Sequence, residues 1–89
     1  MRYDDICKCA YNYYLKHMGI KGLCAAIDIN DYVVFSGGDP NIVNYGGCMI
    51  CVDKDNLTIE HYEETFENIK ILMTAKNIKI PEEYKYKVS

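Results

Sequence analysis

The chain is predicted to fold as α+β: an N-terminal helix, an antiparallel sheet of about four strands built from two hairpins, and a C-terminal helix packed on the sheet. Three observations predict it. Apolar residues recur at helical spacing near both ends of the chain. Between them lie four short β-rich runs in two pairs. Each pair is joined by Asn and Asp residues, which tolerate the left-handed backbone of a tight turn. The 89 residues are expected to form a single domain, 1–89, with no internal repeat and no linker.

The first helix is placed at about residues 4–18, where Ile6, Cys9/Ala10, Tyr13/Tyr14 and His17 recur on one side. Asp4 and Asp5 sit at the positive end of its dipole, and Gly19 or Gly22 stops it. "LCAAIDI" (23–29) and "YVVFS" (32–36) form the first hairpin around Asn30-Asp31. "CMICVD" (48–53) and "LTIEHY" (57–62) form the second around Lys54-Asp55-Asn56. Between them "GGDPNIVNYGG" (37–47) reads as a loop with room for a short extended piece at Ile42-Val43. Tyr62, Phe66, Ile69 and Leu72/Met73 restore the helical period and place a second helix near 62–76, with Phe66, Ile69 and Leu72 as its buried stripe. The tail alternates Tyr84, Tyr86 and Val88 with Lys85 and Lys87, the pattern of a weak edge strand.

Charge is distributed unevenly. Residues 1–27 carry a net +2 and residues 68–89 a net +3, whereas residues 28–67 carry −8. That middle holds Asp28, Asp31, Asp39, Asp53, Asp55, Glu60, Glu63, Glu64 and Glu67 against Lys54 alone. Such a field repels nucleic acid and attracts a basic protein; the same charge also serves solubility. These nine acidic residues are the candidate partner-binding set, with the exposed members of nine tyrosines as a second candidate surface. Tyr11, Tyr13 and Tyr14 span both faces of the first helix, so some are expected to be exposed. No apolar run approaches the roughly 20 residues of a membrane-spanning helix. The five cysteines, an odd number, together with an acidic and aromatic N-terminus, favour free thiols and a cytoplasmic location.

The motifs that suggest chemistry do not carry it. Cys48-Met49-Ile50-Cys51 has redox spacing but lies inside an apolar strand, so its thiols are expected on opposite faces. Cys7 and Cys9 are about 200° apart on a helix, a poor second pair for zinc. "DKDNLTIEHYEE" opens like a calcium loop, but its sixth position is Thr58 where the sharp turn needs glycine. Gly37-Gly38 and Gly46-Gly47 lack the Lys and Ser/Thr of a phosphate loop. His17 and His61 have no nucleophile at a recognisable spacing. No catalytic residue, metal or cofactor is expected.

Tyr32 to Phe35, then Gly46 or Gly47 through Ile50, Val52, Asp53, Lys54 and Asp55, carry a resemblance. Over about residues 4–62 the chain resembles the small YrhB-like immunity proteins of bacterial polymorphic toxin systems. In that family an aromatic strand precedes a "G-x-P-x-I-V-D-K-D-x-G" segment that opens the next hairpin. Cys48 or Met49 stands here in place of the proline, and Leu57 or Thr58 in place of the last glycine. The resemblance implies a non-enzymatic cytoplasmic protein that binds and inhibits a cognate toxin. The acidic middle adds the expectation of a basic partner and of no direct nucleic-acid binding, and no membrane contact is expected. Two other classes stay open. One is a phage- or mobile-element-encoded inhibitor of a nucleic-acid enzyme, such as an anti-CRISPR protein acting as a nucleic-acid mimic. The other is a small chaperone-like or housekeeping module.

Overall fold

A computed structural model describes residues 3–37, 49–63 and 65–86. Helix α1 spans Tyr3–Tyr13 and runs on through a wider, π-helical turn, Tyr14–Met18. Gly19 ends it in the left-handed conformation that glycine adopts freely, φ 67°. Strands β1 (Leu23–Asp28), β2 (Tyr32–Gly37), β3 (Met49–Asp53) and β4 (Ile59–His61) follow. Helix α2 (Phe66–Thr74), the two-residue strand β5 (Lys76–Asn77) and a 3-10 turn (Glu82–Tyr84) complete the described chain. The α+β class and the order of the two hairpins are as the sequence predicts.

The sheet has five strands in the order β4-β3-β2-β1-β5, and β5 is the addition. It pairs antiparallel with β1 through Ile27↔Asn77 and Asp28↔Lys76. The tail does not form the expected alternating strand as far as it is described: Lys85 makes one parallel bridge to Leu23, and Val88 lies outside the described residues. Gly22 is needed there, because a Cβ on it would come within 2.4 Å of the Tyr86 backbone.

Paired residues share a sheet face, so the register defines two layers. On the first face Leu23, Ala26, Val33, Phe35, Ile50 and Val52 pack against Ile6, Cys7, Ala10 and Tyr14 of the first helix. A register shift between Leu23 and Ala25 lets Leu23 and Ala26, three apart, share that face. On the second face lies a thinner cluster of Val34, Cys51 and Tyr62, with Ile27, Tyr32, Met49 and Leu72 packed around it. Helix α2 crosses this face from the β4 edge towards the β5 edge.

The buried stripe expected for α2 is corrected. Phe66 is 85% exposed and Ile69 43%, and only Leu72 of the three packs on the sheet. The helix starts at Phe66 rather than Tyr62 because Thr65 caps it, its Oγ1 accepting the Asn68 N–H at 3.2 Å. Tyr62 leaves the helix for the sheet, and its hydroxyl donates to the Asn68 carbonyl at 2.9 Å. The Asn68 amide in turn donates to the Glu63 carbonyl at 2.9 Å. These bonds rotate the helix so that Asn68, Leu72 and Ala75 lie inward, and the stripe of Phe66, Ile69 and Met73 lies outward.

Candidate partner-binding surface

Four consecutive antiparallel strands put alternate connections at the same end of a sheet. The Asn30-Asp31 and Lys54-Asp55-Asn56 turns therefore share one end. In the first turn Asn30 is left-handed, φ 77°, and its N–H donates to Asp28 Oδ1 at 3.0 Å. In the second, Asp53 Oδ1 accepts the N–H groups of Asp55 at 2.7 Å and Asn56 at 3.3 Å. Asn56 Oδ1 then accepts from the Thr58 N–H and hydroxyl. Both are side-chain-stabilised Asx turns, which Asp and Asn form where a chain reverses.

Lys54 stitches the two turns together. Its N–H donates to the Asp31 carbonyl at 3.0 Å, and its ammonium pairs with Asp28 Oδ1 at 2.7 Å. The Lys54 hydrogen bond holds the Asp28 carboxyl below its usual range, aided by the Asn30 N–H and by Lys76. Asp28 and Asp53 thus spend their carboxylates on the turns themselves. Asp31 and Asp55 are exposed and point their charge at solvent.

The nine sequence-predicted residues accordingly divide. Asp28, Asp31, Asp53 and Asp55 are brought together at one end. Glu60 is exposed on β4 and pairs with Cys51 on the second face. Glu63 and Glu67 are exposed, but β4 carries the chain away from the turns, so they follow at the opposite end. Asp39 and Glu64 lie outside the described residues.

Tyr32 joins this surface, a residue read from the sequence only as part of an aromatic strand. It is half-exposed, opposite Asp53 in the register, and on the second face. Asp53, with Glu60 and Asp31, raises its phenol pKa, which marks the sign of the field around the ring. The signal was in the pairing: alternation in "YVV" sends Tyr32 to the face opposite Val33, next to the acidic turn. The first-helix tyrosines are less available than expected. Tyr14 is fully buried, its hydroxyl donating to the Phe35 carbonyl at 3.0 Å. Tyr11 and Tyr13 are half-buried, Tyr11 with its ring centroid 5.6 Å from that of Tyr84.

On the first face, beside the Asp28–Lys54 pair, is an open cleft of about 530 Å³ lined by Tyr3, Ile6, Val33, Ile78 and Lys79. Its one carboxyl is held ionised by Lys54 and is poorly suited to act as a general base near neutral pH. Cys7, Cys9 and Cys51 are free, and burial pushes each thiol up, away from the reactive thiolate. Cys48 lies outside the described residues. Among the described residues no three His, Cys, Asp or Glu side chains converge on a metal position. Among them, too, no helix is long and apolar enough to cross a membrane. No family model, curated protein or solved structure matches the chain.

Proposed function

We propose that this is a non-enzymatic cytoplasmic protein that binds and inhibits a basic partner protein, and specifically an immunity protein that neutralises a cognate bacterial toxin. The observation that carries the reading is the pooling of the two turns by Lys54, which sets Asp31 and Asp55 outward at one end of the sheet. A rigid turn presents charge at little entropic cost, and charge of one sign at a rim accelerates encounter with a complementary surface. The half-exposed Tyr32 ring beside Asp53 adds an aromatic contact of the kind that anchors interfaces.

The immunity assignment draws on the resemblance at Tyr32–Phe35 and through Asp53, Lys54 and Asp55. One backbone feature supports its register. Leu57, one of the two residues that can stand for the family's turn glycine, is left-handed with φ 58°. A leucine held in a conformation that glycine favours fits a turn of the geometry that a glycine would serve there.

Affinity purification of the tagged chain from its native host, read by mass spectrometry, tests the proposal. The expected result is one basic protein, encoded beside this chain, whose toxicity is suppressed on co-expression. Recovery of a nucleic-acid-processing enzyme, with phage genes as neighbours, would replace the immunity reading by that of an element-borne inhibitor. A set of unrelated clients would overturn both in favour of a chaperone-like module.

A further inference from the structure

We propose that the open cleft on the first face is a binding site for a small carboxylic acid with an apolar body. Its volume of about 530 Å³ falls within the range of small-molecule sites, roughly 300–1,000 Å³. Ile6, Val33 and Ile78 give it apolar walls, and Tyr3 adds a ring. Ile6 and Val33 belong to the core between the first helix and the sheet, so this part of the wall is formed before any ligand arrives.

The polar groups of the cleft select the ligand. Asp28 Oδ1 already accepts from the Lys54 ammonium at 2.7 Å and from the Asn30 N–H at 3.0 Å. Two donors are left over. The Tyr3 hydroxyl is closed to water beside the Cys7 thiol and has no partner at hydrogen-bond geometry. Lys79 is exposed, and among the described residues no carboxylate stands at ion-pair distance from it. A buried hydroxyl without a partner is uncommon in folded proteins and marks a place where a polar atom belongs. A carboxylate only accepts, so one such group matches a hydroxyl and an ammonium together. A phosphate dianion fits less well, because Asp28 keeps a negative charge in the same cleft and Lys54 is committed to it. An amine would meet Lys79 as a like charge. The Tyr3 oxygen is shielded in the empty cleft, so its ring turns towards the ligand as the ligand enters. The cleft is open on one side and the ligand small, which sets a Kd on the order of 1 mM for an acid of about twelve non-hydrogen atoms. This site does not rest on the partner-binding reading of the turn end.

Amide chemical shifts of the full chain, followed while 4-phenylbutyrate is added to about 10 mM, span that affinity. The shifts should saturate and centre on Tyr3, Ile6, Val33, Ile78 and Lys79. Two probes with the same body separate charge from apolar contact. The neutral 4-phenylbutanamide should bind about fivefold more weakly or worse, and the cationic 4-phenylbutylamine more weakly still. Lys79→Gln, at an exposed position, should leave the fold intact and bring the carboxylate down to the affinity of the amide. Tyr3→Phe removes a hydroxyl that the empty fold leaves without a partner, so it should fold normally and bind the carboxylate about threefold more weakly or worse. Shifts that are absent at the highest concentration, or confined to residues away from the cleft, would overturn the proposal. So would an amine that binds as well as the carboxylate, or a carboxylate affinity unchanged in both variants.

Discussion

Tyr14 joins the first helix to the sheet through one hydroxyl, donated to the Phe35 carbonyl in a fully buried setting. Tyr14→Phe keeps the ring and removes the donor, so urea unfolding should show a loss of about 1–2 kcal/mol. A loss within experimental error would mean that the carbonyl finds another partner. From sequence alone Tyr13 and Tyr14 were equivalent. What separates them is Gly37, since a Cβ there would sit 2.8 Å from the Tyr14 ring. That space depends on a contact 23 positions away in the chain, which no local pattern reveals. The Asp28–Lys54 pair makes a prediction with a sign. Asp28 has a depressed folded pKa, so its contribution is full above the unfolded value of about 3.9 and is lost as pH falls through the folded one. Lys54→Met should therefore be less stable than the parent near pH 7. The gap should close on acidification below about pH 4. It should be modest, because both groups are partly solvated, at 32% and 39% exposure. A gap unchanged at about pH 2 would show that the Lys54 stem, rather than its charge, supplies the effect.

Helices α1 and α2 show where periodicity suffices and where it fails. Ile6, Ala10 and Tyr14 repeat every four residues, are buried, and meet the sheet as their spacing predicts. In the second helix the spacing was as regular but the rotation differed. The Thr65 cap and the Tyr62–Asn68 and Asn68–Glu63 bonds set the register, and polar bonds of this kind leave no apolar period to read. Strand β5 was equally illegible, being two exposed polar residues, Lys76 and Asn77, that pair with β1 and leave no apolar alternation to read. The consequence is measurable. Phe66→Ala should change stability by less than about 0.5 kcal/mol, as a surface substitution does. Leu72→Ala should cost about 1–2 kcal/mol, below the ~2–5 of a fully buried site, because only part of its surface is covered. Thr65→Ala should cost about 1 kcal/mol through the lost cap. Amide exchange should follow the same order, with α2 opening locally before the β2–β3 core exchanges. A second helix as protected as the first would contradict its thin packing on the sheet.

At the scale of the whole molecule, a charge pattern and a strand order combine to make one surface. The acidic residues were legible as residues, and the two turns were legible as turns. Their meeting at one end followed from the parity of an antiparallel meander, which the sequence suggested without deciding. The division of labour among the carboxylates was not legible. It depends on Asp28 and Asp53 being drawn back into hydrogen bonds while Asp31 and Asp55 remain exposed. The proposed role of these outward charges is to guide a basic partner. It is tested most directly by association kinetics against the protein recovered by affinity purification, at low and high salt, for the parent and for Asp31→Lys with Asp55→Lys. Exposed turn substitutions change stability by less than about 0.5 kcal/mol, so the double variant should remain folded. The on-rate should fall by about tenfold or more at low salt and its salt dependence should flatten, with dissociation little changed. An on-rate and salt slope equal to the parent's would contradict it.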